Sequence, residues 1–194
     1  CIAPSIGRDV RECRYATPGA RHRVVAIGDS HMVHWLPALQ RMATTHDWDL
    51  LALTKTACPF AQLDESIVRS EVAKSCAEWN SKVIGRIRAH RPELVIVAQS
   101  IGALGEIADD PARGPAEKAA RMADAWRSVI GPTTRLAAIR ETPRLPWDAP
   151  ECLARPGASA RGCSQDLEAS VPVRSAVADA AALVPEAALL DMTD

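Results

Sequence analysis

An apolar run followed by a polar turn sets the interpretation of the whole chain: Val24-Val25-Ala26-Ile27-Gly28-Asp29-Ser30-His31. Four apolar residues in a row that end at a glycine are typical of a strand buried on both faces of a parallel sheet. From Met32 to about Thr45, apolar residues recur at helical spacing, which predicts a helix directly after the turn. The segment is therefore expected to form a strand, a tight turn and a helix in succession.

The same alternation of short apolar runs and longer amphipathic stretches continues along the chain. Further strands are predicted at residues 50–53, 94–98, 136–139 and 187–190. Strands separated by helices predict an α/β fold, a three-layer sandwich around a central parallel sheet of about five strands. The chain has 194 residues, 47% of them hydrophobic, which is enough for one good core, so residues 1–194 are predicted to be a single domain.

Composition and charge limit the classes of partner. The chain carries 23 basic and 24 acidic residues, for a net charge of -1, so no strong field exists to capture nucleic acid. No apolar run approaches the roughly 20 residues that span a bilayer. Because the chain starts at Cys1 without a methionine and stops at Asp194 just past an apolar run, we expect it to be a piece of a longer protein.

Six cysteines fall into three local pairs. The pairs are Cys1 with Cys13, Cys58 with Cys76, and Cys152 with Cys163. Fifteen pairings are formally possible, and the sequence alone does not choose among them. None of the pairs has the CxxC spacing of a zinc or redox site, and each brackets a segment with Pro, Gly or many charges. Local disulfides in an oxidising compartment fit best, and six free thiols in a cytosolic protein are the alternative.

Ser30 is the first candidate for chemistry. In open parallel sheets, ligands bind beyond the carboxyl ends of the strands, and Ser30 stands in the turn after the first predicted strand. Its hydroxyl would project into the crevice, while the N-terminus of the next helix offers N–H donors to a developing oxyanion. The alternative is that Ser30 only caps the helix and Asp29 only orders the turn.

Three motifs resemble those of SGNH hydrolases, specifically the SGNH domains fused behind acyltransferase family 3 membrane proteins. They are Val25-Ala26-Ile27-Gly28-Asp29-Ser30-His31 with His34-Trp35-Leu36-Pro37-Ala38-Leu39, then Thr54-Lys55-Thr56-Ala57-Cys58-Pro59, and Cys76-Ala77-Glu78-Trp79-Asn80. Pro143, the Cys152 to Cys163 loop and Leu190-Asp191-Met192-Thr193-Asp194 also stand where that family places similar features. The resemblance covers nearly the whole chain.

This resemblance implies a flavodoxin-like fold and a function. Such domains pair with a membrane acyltransferase domain, expected on the same polypeptide, and place acyl groups, often acetyl, on hydroxyls of extracytoplasmic glycans. Ser30 would form an acyl-enzyme, its own N–H would help to hold the oxyanion, and no cofactor is expected. The domain would lie outside the cytoplasm, tethered to the membrane by a region outside this chain. The alternatives are an SGNH esterase that deacylates glycans or lipids, and a catalytically incomplete glycan-binding module.

The chain departs from the family pattern at the catalytic base. The SGNH base and its carboxylate partner come as a D-x-x-H motif after the last strand, and no such motif occurs before Asp194. Either a segment beyond Asp194 supplies it or the domain is incomplete. His31 and His34 are predicted to line the site rather than to act as the base, because His31 adjoins Ser30 on a helix and neighbours there do not face each other.

The second departure concerns the oxyanion hole. Gln99 and Ser100 stand where the family has an asparagine, and either side chain has a donor to offer. The family's glycine after the second strand is not evident, so the backbone N–H of Thr56 or Ala57 is expected to serve there. We find no metal-ligand cluster and no phosphate loop. Trp147, in the Pro-rich and Arg-rich excursion 142–163, is a candidate to meet a sugar face.

Overall fold

The computed structural model describes residues 1–63, 68, 70–100, 114–171 and 175–193. The strands are β1 Glu12–Ala16, β2 His22–Gly28, β3 Trp48–Thr54, β4 Leu94–Ala98, β5 Arg135–Ile139 and β6 Ala187–Leu190. The helices are α1 Ser30–Thr45, α2 Glu71–His90, α3 Pro115–Arg127, α4 Ala149–Leu153, α5 Leu167–Ser170 and α6 Ala176–Leu183.

All strands join one mixed sheet in the order β1-β3-β2-β4-β5-β6. Strands β2 to β6 pair in parallel, whereas β1 runs antiparallel to β3. The α/β class and the five parallel strands are confirmed, and the sequence missed β1. This edge strand alternates exposed and half-buried residues over Glu-Cys-Arg-Tyr-Ala, so it lacks the continuous apolar run that marks a strand buried on both faces.

The core lies on both faces of the sheet, which gives the predicted three layers. Val24, Ala26 and the other residues that point to one face pack against α1. Their neighbours Val25 and Ile27 point the opposite way and pack with residues of α2, α3 and α6. Alternation along one strand thus supplies both cores, because successive side chains point to opposite faces.

The three predicted disulfides are confirmed. Cys1–Cys13 ties the N-terminus to β1, and Cys58–Cys76 joins the loop after β3 to α2. Cys152–Cys163 closes a loop within the excursion after β5. None of the helices among the described residues combines the length and apolar character that a membrane span requires.

Candidate functional site at the carboxyl edge of the sheet

Three strands end level with one another at the edge where Ser30 lies. Gly28, the last residue of β2, is in register with Thr54 of β3 and with Ala98 of β4. The chain leaves β2 for β3 on one side and later returns to β4 on the other, so the crevice between their ends is a topological switch point. The residues after these three strands therefore meet around the turn that carries Ser30.

Gly28 cannot be replaced without moving the backbone. A Cβ built there would lie 1.9 Å from the carbonyl oxygen of Ala98, and the residue has φ +154°. A contact that short excludes every side chain. The glycine therefore lets the end of β4 approach the Ser30 turn closely.

Asp29 is buried and joins two elements. Its Oδ1 accepts a hydrogen bond of 2.8 Å from the N–H of His31, which caps α1. Its Oδ2 accepts a second bond of 2.8 Å from the N–H of Ser100, just beyond β4. Through these contacts Asp29 holds the Ser30 turn against the end of β4. Asp29, and not Ser30, is therefore the cap of α1.

Ser30 begins α1 and is exposed. Among the described residues, none forms a hydrogen bond with its hydroxyl or accepts one from its N–H, whereas the N–H groups of His31 and Met32 are bound to Asp29. The alternative that Ser30 only caps the helix is therefore wrong, because Asp29 performs that task. At the N-terminus of α1, a hydroxyl and an adjacent N–H donor thus have no partner within the part of the chain that the structure describes.

His31 and His34 follow on the first turns of α1, and their rings stack with centroids 5.9 Å apart. Burial lowers the pKa of His31, and the charges of Arg144 and His34 lower it further, while those of Asp29 and Glu141 oppose the shift. The net lowering favours a neutral imidazole at neutral pH. Both histidines lie beside the Ser30 turn.

The loop after β3 distinguishes the two backbone candidates for the oxyanion hole. The N–H of Thr56 donates to the carbonyl of Ala3 over 2.9 Å. The expectation for Thr56 is corrected accordingly, because its donor is already engaged. Ala57 adopts φ +52°, in the left-handed region, and no described residue accepts a hydrogen bond from its N–H.

Lys55 fixes the N-terminal segment against this loop. Its fully buried Nζ donates to the carbonyls of Pro4, Ser5 and Gly7 at 2.8, 2.8 and 2.5 Å, and lies 3.0 Å from Ser75 Oγ. Burial lowers the pKa of Lys55 to about 8. This role was missed from the sequence, where Lys55 was only part of a motif. A lysine between an apolar strand and a Cys-Pro step was the available signal.

A buried amide and a disulfide brace the same loop from α2. Asn80 Nδ2 donates to the carbonyl of Pro59 over 3.0 Å. The Cys58–Cys76 bridge lies beside it, with Cys76 Sγ 3.4 Å from that nitrogen. The motif residues around Cys76 and Asn80 therefore hold the loop that presents Ala57.

Gln99 is buried directly after β4, where its carboxamide has one bound end and one free end. Its Oε1 accepts a hydrogen bond of 2.8 Å from the N–H of Phe60. Its Nε2 is buried and has no acceptor among the described residues. Because Oε1 is fixed by Phe60, Nε2 is the group that remains as a donor. Ser100 is half-buried, and its N–H is bound to Asp29.

The described residues hold no group of three or more His, Cys, Asp or Glu side chains that could bind a metal ion. The edge instead gathers an exposed hydroxyl, a buried amide and N–H groups from which no described residue accepts a hydrogen bond. A nucleophile beside donors for an oxyanion is part of what acyl transfer requires, together with a general base.

Comparisons with known proteins bear on the fold and on the family of this chain. A solved structure described as that of the Salmonella ser. Paratyphi A lipopolysaccharide acetyltransferase periplasmic domain matches 90% of this chain and 67% of its own, with a TM-score of 0.61 and 14% sequence identity. That similarity concerns the fold. No curated protein matches the chain. A family model described as an SGNH domain fused to AT3 domains matches residues 1–194, and the chain therefore belongs to this family.

Proposed function

We propose that this domain transfers an acyl group, in particular acetyl, to a hydroxyl of an extracytoplasmic cell-envelope glycan or glycolipid through an acyl-enzyme on Ser30. The observation that carries the proposal is the exposed hydroxyl of Ser30 at the N-terminus of α1, to which none of the described residues is hydrogen-bonded. It stands at the switch point of the sheet, on a turn that Gly28 and Asp29 hold in place. Membership of the SGNH family supports the same reaction class.

In the first step, Ser30 Oγ attacks the carbonyl carbon of the acyl donor while its proton passes to a base. The bond from the acyl carbon to the leaving group breaks, and the leaving group takes that proton. The N–H groups of Ser30 and Ala57 and the Nε2 of Gln99 are the proposed oxyanion donors. The proposed base is the histidine of a D-x-x-H segment beyond Asp194.

In the second step, the glycan hydroxyl attacks the ester carbon of the acyl-enzyme. Its proton passes through the base to Ser30 Oγ, and the acylated glycan leaves. An esterase would use water in place of the glycan hydroxyl. The two reactions therefore differ only in the nucleophile that resolves the intermediate.

The proposed partners and location follow from the family. An AT3 domain of the same polypeptide would supply the acyl donor from the membrane, as the fusion named in the family description supports. Three disulfides support an oxidising, extracytoplasmic compartment. The matched acetyltransferase is described as acting on lipopolysaccharide, which supports an envelope glycan as acceptor here. We propose that residues 1–194 form one domain of that longer protein.

The test is acyl turnover by the full-length protein with p-nitrophenyl acetate. Ser30→Ala should lower kcat by about 1000-fold or more, and mass spectrometry of the wild-type protein should find an acetyl group on the peptide that contains Ser30. Ser81→Ala is the matched control, because Ser81 is exposed on α2.

Unchanged turnover in a folded Ser30→Ala protein contradicts the proposal. Adding envelope glycan separates the alternatives. Transfer of the acetyl group to glycan supports the transferase, release only as acetate supports the esterase, and the absence of any acyl-enzyme supports the non-catalytic glycan-binding module.

A further inference from the structure

One aromatic side chain is exposed while the other six of the chain are not. The chain has five Trp, one Tyr and one Phe, and the structure describes all of them. The buried or half-buried ones are Tyr15, Trp35, Trp48, Phe60, Trp79 and Trp126. Trp147 is 40% exposed. An indole that stays partly in water gives up hydrophobic stabilisation that the buried aromatic side chains obtain.

A hydrogen bond ties the exposed ring to a cross-linked loop. Its Nε1 donates to the carbonyl of Cys163 over 3.4 Å. Cys163 is itself buried and bonded to Cys152, so the acceptor belongs to that loop. A ring tied in this way loses less conformational freedom when a ligand stacks on it than an untied ring would.

The segment that carries Trp147 starts beside the Ser30 turn. It follows β5, whose carboxyl end lies at the same sheet edge as that of β2 because both pair in parallel with β4. The charges of Glu141 and Arg144 both act on His31, which adjoins Ser30. Arg144 is anchored by its N–H to the carbonyl of Ser170 over 2.8 Å. Trp147 is three residues further on.

We propose that Trp147 is the stacking surface for a pyranose ring of the acceptor glycan, an inference that rests on the proposed function. A pyranose presents an apolar C–H face and a polar rim, which suits an exposed indole with polar groups nearby in the chain. Arg144 precedes Trp147 by three positions and Asp148 follows it directly, and both are exposed. A protein interface instead favours a contiguous apolar patch with few charges at its centre.

The test uses soluble polysaccharide released from the envelope of the producing cells, added to the full-length protein. Saturation-transfer NMR should show saturable contact with the glycan. Trp147→Ala should weaken binding by at least about 10-fold, and Trp147→Phe by less, because an aromatic face remains. Leu153→Ala is the matched control, because Leu153 is 53% exposed on the same excursion.

A second measurement needs no variant. N-bromosuccinimide oxidises exposed indoles, so peptide mapping of the wild-type protein should find Trp147 modified first and protected when the polysaccharide is present. Absence of saturable glycan contact overturns the proposal. So does wild-type affinity in Trp147→Ala, or oxidation of Trp147 that the glycan does not slow.

The outcome is separable from that of the proposed function. Ser30→Ala should bind the polysaccharide as tightly as the wild type does, because stacking on Trp147 needs no nucleophile. If acyl turnover proves not to depend on Ser30, the result on glycan binding by Trp147 is therefore unaffected. Conversely, if the protein turns over p-nitrophenyl acetate through Ser30 and Trp147→Ala binds the glycan as tightly as the wild type, only the role of Trp147 is contradicted.

Discussion

The loop after β3 and the excursion after β5 lie at the same edge of the sheet and are built in opposite ways. The first, residues 55–58, is held by the buried ammonium of Lys55, by the Cys58–Cys76 bridge and by the amide of Asn80. The second, residues 142–163, leaves Trp147 and Leu153 exposed and is cross-linked only within itself. One side of the crevice is fixed and the other is open.

This difference between the two sides suits two tasks, stabilising an oxyanion and receiving an acceptor. An oxyanion donor stabilises a transition state only if it is in place before charge develops, so the loop that presents Ala57 benefits from rigid supports. A surface that receives a large polar acceptor must stay accessible, and an exposed ring on a disulfide-closed loop meets that need. Substitutions on each side of the crevice test this difference.

The largest expected effect comes from removing the ammonium on the fixed side. Lys55→Met should lower the free energy of unfolding by about 4 kcal/mol, because it removes the buried ammonium that binds three carbonyls of the N-terminal segment and the Ser75 hydroxyl together. Urea denaturation measures it.

The control for that substitution is Lys82→Met. Lys82 Nζ also donates to a carbonyl of the N-terminal segment, that of Arg8 at 3.0 Å, but it is exposed and paired with Glu78. It should cost less than about 1 kcal/mol. Equal losses from the two substitutions would show that burial of Lys55 contributes nothing special.

The next effect compares the disulfides of the two sides. Replacing Cys58 and Cys76 by serine should lower the free energy of unfolding by about 3 kcal/mol or more, since the chain-entropy contribution is joined by the burial of two hydroxyls. Replacing Cys152 and Cys163 should lower it by less, because the excursion can open locally while the sheet stays folded.

Thermal unfolding of the two double variants measures the difference. Hydrogen exchange should show increased opening over the whole sheet in the first variant, and only in residues 142–163 in the second. The same melting temperature and the same exchange pattern in both variants would contradict the difference between the two sides.

The smallest effect is the pH dependence of stability that Lys55 contributes on the fixed side. The pKa of Lys55 is about 8 in the folded protein and about 10.4 when the chain is unfolded. Between these values the unfolded chain binds more protons than the folded protein does, so stability rises with pH there. The expected gain is about 1 kcal/mol between pH 8 and 9, and below pH 8 the contribution is flat.

Chemical denaturation at a series of pH values measures this slope, and Lys55→Met isolates it, because the variant lacks the titrating group. A titration of the Lys55 side chain by NMR gives the pKa directly. The same slope in wild type and variant would assign it to other groups.

The sequence predicted those features of the fold that depend on residues close together in the chain. Strands β2 to β5 were predictable, because a parallel strand buried on both faces is a continuous apolar run. Strand β6 lies at the other edge of the sheet and is mostly exposed, but it too is a continuous apolar run, Ala-Ala-Leu-Leu. Strand β1 was not, because an edge strand with one solvated face carries charges at alternate positions. The local disulfides were predictable from their short separations of 12, 18 and 11 residues.

The sequence identified residues of the candidate site, but it did not predict the hydrogen bonds that they form. That Ser30 follows a buried strand could be read from residues 24–31. That the N–H of Thr56 is engaged depends on Ala3, more than 50 positions earlier in the chain. Likewise, Asp29 meets Ser100 across 71 positions, which no local pattern encodes.

The sequence by itself determined the α/β class, the five parallel strands and the serine at the end of β2, and it favoured local cysteine pairs, because periodicity and short-range spacing are properties of neighbouring residues. Only the tertiary structure decided which N–H donors remain free, why Lys55 is buried and which aromatic side chain faces solvent. Those features arise when segments far apart in the chain compete for the same hydrogen bonds and the same buried surface.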